Sequence, residues 1–216
     1  MEAETRMRLI LVRHGETRPN REGRILGLSD VPLTPIGRAQ ADAVAVALRD
    51  DMPFRLYTSP VGRASETART ISASLAVPLT SLEGLAEADA GELEGLTGQE
   101  MRRRYPEFAR RWDEDSSTAQ MPRGESLSQV QQRAWSAVCG LLADHPDETV
   151  VAVSHNFTIQ TIVCKFLDMS LRNFRRLRHD LGAITRLELS GSSRTVETLN
   201  QTAHLKAIAP DTSLAG

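Results

Sequence analysis

Three apolar runs too short to be helices, Leu9-Ile10-Leu11-Val12, Phe54 to Thr58 and Thr149 to Ser154, are separated by stretches whose apolar residues recur at helical spacing. Runs of this length bounded by turn residues read as buried strands. Strands that alternate with helices favour a parallel sheet covered on both sides. The expected fold is therefore α/β, a single domain with a mostly parallel central sheet flanked by helices on both faces. Open sheets of this kind bind ligands at the carboxyl ends of their strands. Polar, reactive residues follow each of the three runs: Arg13-His14-Gly15, Ser59 with Arg63, and His155.

The segments between fit this frame. Thr34 caps a helix that begins at Pro35 and repeats Ala39, Ala43, Val46 and Ala47 along one face. Ser59-Pro60 opens a second helix that runs to about Leu75, and Val77 to Thr80 is a short extended run. The stretch Gln99 to Trp112 reads as a very polar helix at the domain's edge. Ser126 with Gln129 makes a capping box for a long amphipathic helix ending near His145. Asn156 to Leu167 reads as helix, and Ala183 to Leu189 and Arg194 to Leu199 as strands. Residues 1–208 form the expected domain, and 209–216 a disordered tail.

Whole-chain numbers exclude several classes of function. The chain of 216 residues is 40% hydrophobic with a net charge of −2. That balance argues against binding nucleic acid or a membrane surface. No apolar stretch reaches spanning length, and Met1 to Arg8 is too polar for a signal peptide, so a cytoplasmic location is expected. Cys139 and Cys164 sit in helix-like apolar patterns without metal-ligand spacing and read as reduced core thiols.

The polar residues suit phosphoryl transfer through histidine. Such chemistry needs a neutral imidazole aimed at phosphorus, cations for the equatorial oxygens, and an acid for the leaving oxygen. His14 is the candidate nucleophile. Arg13, Arg63 and His155 are the candidate donors to the phosphate, Arg63 from the first turn of a helix that starts at a strand end. Glu87 is a candidate acid, in competition with Glu83, Glu92 and Glu94, among which spacing alone does not choose. Of the remaining histidines, His145 reads as a solvated loop residue, and His179 and His204 as structural or peripheral.

The motifs Leu11-Val12-Arg13-His14-Gly15-Glu16-Thr17, Gly27-Leu28-Ser29-Asp30, Gly37-Arg38-Ala39, Ser59-Pro60 with Arg63-Ala64, Gly124-Glu125-Ser126 and Val153-Ser154-His155 follow one another in order. The sequence thereby resembles the histidine phosphatase superfamily, in the branch of cofactor-dependent phosphoglycerate mutases and their phosphatase relatives. The resemblance implies a phosphohistidine at His14, a phosphate pocket of Arg13, Arg63 and His155, and Glu87 as proton donor. It implies substrate contacts from Thr17 and Asn20 and no metal or other cofactor, and Asn156, whose amide can donate hydrogen bonds, is a further candidate for substrate contact. Leu26 stands where glutamine is common in that family, Leu93 where tryptophan is, and Asn156 where glycine is. These departures bear on substrate preference.

The reaction expected is hydrolysis of small phosphomonoesters. The mutase alternative calls for a sizeable insertion between the acid loop and Gly124-Glu125-Ser126, and the stretch here is modest. A non-catalytic phosphate-binding module is disfavoured because all five central residues are retained. Two basic clusters, Arg102-Arg103-Arg104 and Arg172 with Arg175, Arg176 and Arg178, read as solvated faces or as contacts to a second anionic group. The C-terminal strands and Leu171 to Leu181 offer a possible homodimer contact.

Overall fold

The computed structural model describes residues 6–190 and 193–208; the tail expected at 209–216 lies outside them. In chain order the main elements are β1 (Arg6–Arg13), the single turn α1 (Arg18–Arg21), α2 (Pro35–Ala47), β2 (Arg55–Thr58), α3 (Gly62–Leu75), β3 (Leu79–Ser81), α4 (Gly98–Arg104), α5 (Pro106–Asp115), α6 (Leu127–Asp144), β4 (Thr149–Ser154), α7 (Asn156–Phe166), β5 (Ile184–Ser190) and β6 (Ser193–Gln201). The strands form one sheet in the order β3-β2-β4-β1-β5-β6. The first four in that order run parallel, and β5 and β6 extend the sheet antiparallel.

Both faces of the central strands are buried, as their unbroken apolar sequences require. Leu9, Leu11, Val150 and Ala152 face the layer that holds α6 and α7. Ile10, Val12, Val151 and Val153 face the layer that holds α2 and α3. In the parallel register Arg13 lies beside Ser154, and Thr58 beside Val153. The residues that follow these strand ends, His14, His155 and Ser59, therefore emerge together on one rim. Backbone bonds tie them there: His14 N donates to the Ser154 carbonyl at 3.1 Å, and Ser59 N to the Val153 carbonyl at 2.9 Å.

Several expectations are corrected. Helix α2 buries Ala41, Val44 and Ala45, with Leu48 just beyond it, whereas Val46 is exposed. Its face is thus rotated from the one read through Ala39, Ala43, Val46 and Ala47. The polar stretch after Gln99 is two helices. Pro106 excludes its predecessor from helical angles, and Tyr105 accordingly sits at φ −127°, ψ 60° between them. Together the pair buries Met101, Phe108, Ala109 and Trp112, so the segment is core on one side. Cys164 is buried, but Cys139 is exposed. His145 is buried, with its ring between the Tyr57 hydroxyl at 2.8 Å and the Glu148 carboxylate at 2.6 Å.

Candidate active site

His14 leaves β1 into a turn that only glycine permits. A Cβ on Gly15 would collide with the Gly37 carbonyl, and one on Gly37 with the Glu16 carbonyl. This backbone contact seats the β1 exit on the first turn of α2. The His14 imidazole is 2% exposed, with Nδ1 at 2.7 Å from the Gly15 carbonyl. A carbonyl only accepts, so Nδ1 carries the proton. Arg63 Nε–H points at Nε2 from 3.2 Å, which requires a lone pair there. Burial, followed by the charges of Arg63 and Arg13, holds this imidazole neutral to well below its ordinary pKa.

Arg63 projects from the first turn of α3. Its other nitrogens donate to the carbonyls of Ser29 at 3.1 Å and Gly27 at 2.8 Å, so the loop Gly27-Leu28-Ser29-Asp30 orients the guanidinium. Glu94 holds that loop in turn, accepting from Gly27 N at 2.8 and 2.9 Å and from Leu28 N at 3.2 Å. Arg13 donates to the His179 carbonyl at 2.6 Å and to Asn156 Oδ1 at 3.4 Å, and burial pushes its pKa down to about 10. Two buried nitrogens beside these groups, Arg13 Nε and His155 Nδ1, have no partner. Unmet buried polar atoms are costly, and an anion or a water would satisfy them.

Glu87 is 4% exposed and sits against the start of α7. One carboxyl oxygen accepts from Ala88 N at 2.9 Å and Thr158 N at 3.3 Å, the other from Phe157 N at 3.3 Å. Burial nevertheless outweighs these donors and the nearby arginines, and the carboxyl pKa is raised. The loop bearing it is clamped from α6. Arg133 donates to the carbonyls of Gly84 at 3.1 Å, Ala86 at 2.8 Å and Glu87 at 2.8 Å, and pairs in bidentate fashion with Glu125 at 2.9 Å. Glu125 also accepts from Asp89 N at 2.9 Å. Gly124 and Gly91 permit this, since a Cβ on either would strike the facing backbone.

Arg13, His14, Asn20, Arg63, Glu87 and Asn156 all border one small cavity of about 140 Å³. Of the four carboxyls considered for the acid, only Glu87 borders it. Glu94 is engaged as described, Glu92 accepts from the Tyr105 hydroxyl, and Glu83 lines a separate cleft. His155 packs beside His14 with ring centroids 5.1 Å apart, and its Nε2 meets Ser59 Oγ at 2.7 Å. It is fully buried and does not border the cavity, nor does Thr17, whose hydroxyl donates to Asn20 Oδ1 at 2.7 Å. Sequence reasoning missed Arg133, which carries no local motif, and Thr158, one turn into α7. Among the described residues no group of three or more His, Cys, Asp or Glu is placed to hold a metal ion.

The basic clusters separate. Arg102 pairs with Asp113, Arg172 with Asp115 and Arg178 with Asp180, all on the surface. Arg175 instead lies over the Trp112 and Phe174 rings, 5.8 Å from each centroid. His179 is buried with its pKa lowered to about 3 by burial, and His204 meets the Gly182 carbonyl at 2.9 Å.

Residues 9–202 match the family model of the histidine phosphatase superfamily, branch 1. The chain belongs to the histidine phosphatase superfamily. Among histidine phosphatases it is similar to phosphoserine phosphatase 1 of Hydrogenobacter thermophilus, with 31% identity over 92% of this chain and 94% of that one. YhfR of Bacillus stearothermophilus superposes with a TM-score of 0.87 and 32% identity, covering 93% of this chain and all of the other. Mycobacterial glucosyl-3-phosphoglycerate phosphatase Rv2419c, solved with VO3, gives a TM-score of 0.81 at 29% identity over 93% of this chain and all of that one. No helix among the described residues is long and apolar enough to cross a membrane.

Proposed function

We propose that this histidine phosphatase hydrolyses small phosphomonoesters through a phosphohistidine on His14. The observation that carries the reading is the His14 tautomer: Nδ1–H is spent on the Gly15 carbonyl, leaving the Nε2 lone pair beside Arg63. In the first step Nε2 forms the N–P bond as the P–O bond to the leaving group breaks. Arg63 Nε passes from the imidazole to a phosphoryl oxygen, and Arg13 balances the charge on the others. Glu87, whose carboxyl pKa is raised by burial, transfers a proton to the departing alkoxide. In the second step water attacks phosphorus, the N–P bond breaks, and the Glu87 carboxylate takes the proton from that water. The products are the alcohol and inorganic phosphate, and Glu87 ends protonated as it began.

A mutase would pass the phosphoryl group to a second hydroxyl and must exclude water while doing so. Here the chain between Glu87 and Gly124 spends itself on α4, α5 and short turns, which favours hydrolysis. The test is a time course with 3-phosphoglycerate, with and without 2,3-bisphosphoglycerate, beside p-nitrophenyl phosphate. The expected result is phosphate release without 2-phosphoglycerate, together with acid-labile phosphate on the protein that His14→Ala lacks. Fast formation of 2-phosphoglycerate that requires the bisphosphate overturns the assignment.

A further inference from the structure

An apolar cavity of about 370 Å³ adjoins the phosphate cavity, and the two share Ile25, Asn156 and Phe157 in their walls. Met101 of α4, Phe108 and Trp112 of α5, and Phe174 supply much of the remainder. The aromatic rings brace one another edge-on: Trp112 lies 5.9 Å from Phe157 and 6.0 Å from Phe174. At the rim the exposed Arg175 guanidinium covers the faces of Trp112 and Phe174. The floor is thus an ordered aromatic surface, continuous with the place where His14 and Glu87 meet the substrate.

Resting on the phosphatase reading above, we infer that this cavity receives the organic body of the substrate, and that the preferred substrates are phosphomonoesters of apolar alcohols or phenols. Two features carry this. Water against an apolar wall of this kind is readily displaced by an apolar group, and aromatic walls pack well against an aryl or alkyl body. Glu87 is moreover the one carboxyl among the described residues that border either cavity. A substrate ammonium has no other anion to pair with there, and Glu87 must keep its proton for the leaving oxygen. In the polar cleft on the other side of Glu87, Glu125 is engaged with Arg133 and Asp89 with Gly91 N at 2.9 Å, and Glu83 stands on the wall.

The n-alkyl phosphates from ethyl to octyl test this, because their leaving groups share one basicity while their apolar area grows. On the wild-type enzyme kcat/KM is expected to rise by up to about 4-fold per methylene until the cavity is filled. Hexyl phosphate is expected to exceed O-phosphoserine by at least about 30-fold, the worth of a few buried methylenes. Gly98 stands in the cavity wall, and a Cβ there meets no atom within 4 Å. Gly98→Leu is expected to cut kcat/KM for octyl phosphate at least about 5-fold more than for ethyl phosphate. Phosphate release with a flat or falling alkyl series, or with O-phosphoserine ahead of hexyl phosphate, overturns the inference and leaves the phosphatase reading standing. No release from any ester, p-nitrophenyl phosphate included, overturns the phosphatase reading itself.

Discussion

Arg63 Nε, on the first turn of α3, donates at 3.2 Å to Nε2 of His14, the residue that follows β1. The cation is already in place at the atom that would attack phosphorus, so it needs only a small shift to follow the charge. Arg63→Lys keeps one charge but loses the fork to Gly27 and Ser29. We expect kcat/KM for p-nitrophenyl phosphate to drop about 100-fold or more, with the far-ultraviolet circular dichroism unchanged. A loss below threefold would remove Arg63 from the chemistry.

Glu87→Gln removes the transferable proton while keeping the side chain's shape. Alkyl phosphates, whose alkoxides leave poorly, are expected to slow about 100-fold more than p-nitrophenyl phosphate. If Glu87 is the acid, wild-type activity on alkyl phosphates is expected to decline as pH rises through the raised pKa of that carboxyl. The variant's profile should lose this descending limb. Equal losses on both ester types would count against the acid role.

Arg133 touches the Glu87 loop only through backbone carbonyls and Glu125, which makes it a positioning residue. Arg133→Met is expected to lower kcat at least about 10-fold with KM little changed, and to move the descending pH limb, while Arg133→Lys restores part of kcat. A variant that melts earlier but keeps both kinetic constants and the pH profile would show that the clamp is merely structural.

Burial lowers the pKa values of His14, His155 and His179, the last to about 3. Below an unfolded pKa near 6.5 the unfolded chain takes up protons that the folded chain refuses, so stability is full above that pH and is lost as pH falls. Each group contributes at most about 1.4 kcal/mol per pH unit. Glu87 acts oppositely, since its raised pKa adds stability at low pH that fades as pH rises. The melting temperature is accordingly expected to fall between pH 7 and pH 5, and His179→Gln should flatten that slope. An unchanged slope would mean that His179 is protonated in the fold.

The strand ends were legible because their chemistry is local: an apolar run, then a turn residue, then the reactive side chain. The capping box at Ser126 and Gln129 was legible for the same reason, since the bonds it describes span three residues. What the sequence concealed depends on distant partners. His145 looks like a turn residue until Tyr57, far away in β2, takes its ring nitrogen. The apolar stripe Met101, Phe108 and Trp112 is diluted by arginines and Glu107 and interrupted at Tyr105, so no single periodicity runs through it. Cys139 fits an apolar pattern in α6 yet lies on the outward side. The neighbours of Glu87 became distinguishable only when Glu94 and Glu92 were found engaged elsewhere.

The groups around the phosphate hang from β1, β2, β4 and the Glu87 loop, stretches scattered along the chain and locked into the sheet. Helices α4 and α5 are one unbroken length of polypeptide outside the sheet, entered beside the Arg24–Thr97 bridge. On the proposed reading, exchanging residues 98–121 would replace Gly98, Met101, Phe108, Trp112 and Met121 of the apolar wall and leave Ile25, Phe157 and Phe174 in that wall, and His14, Arg63 and Glu87, in place.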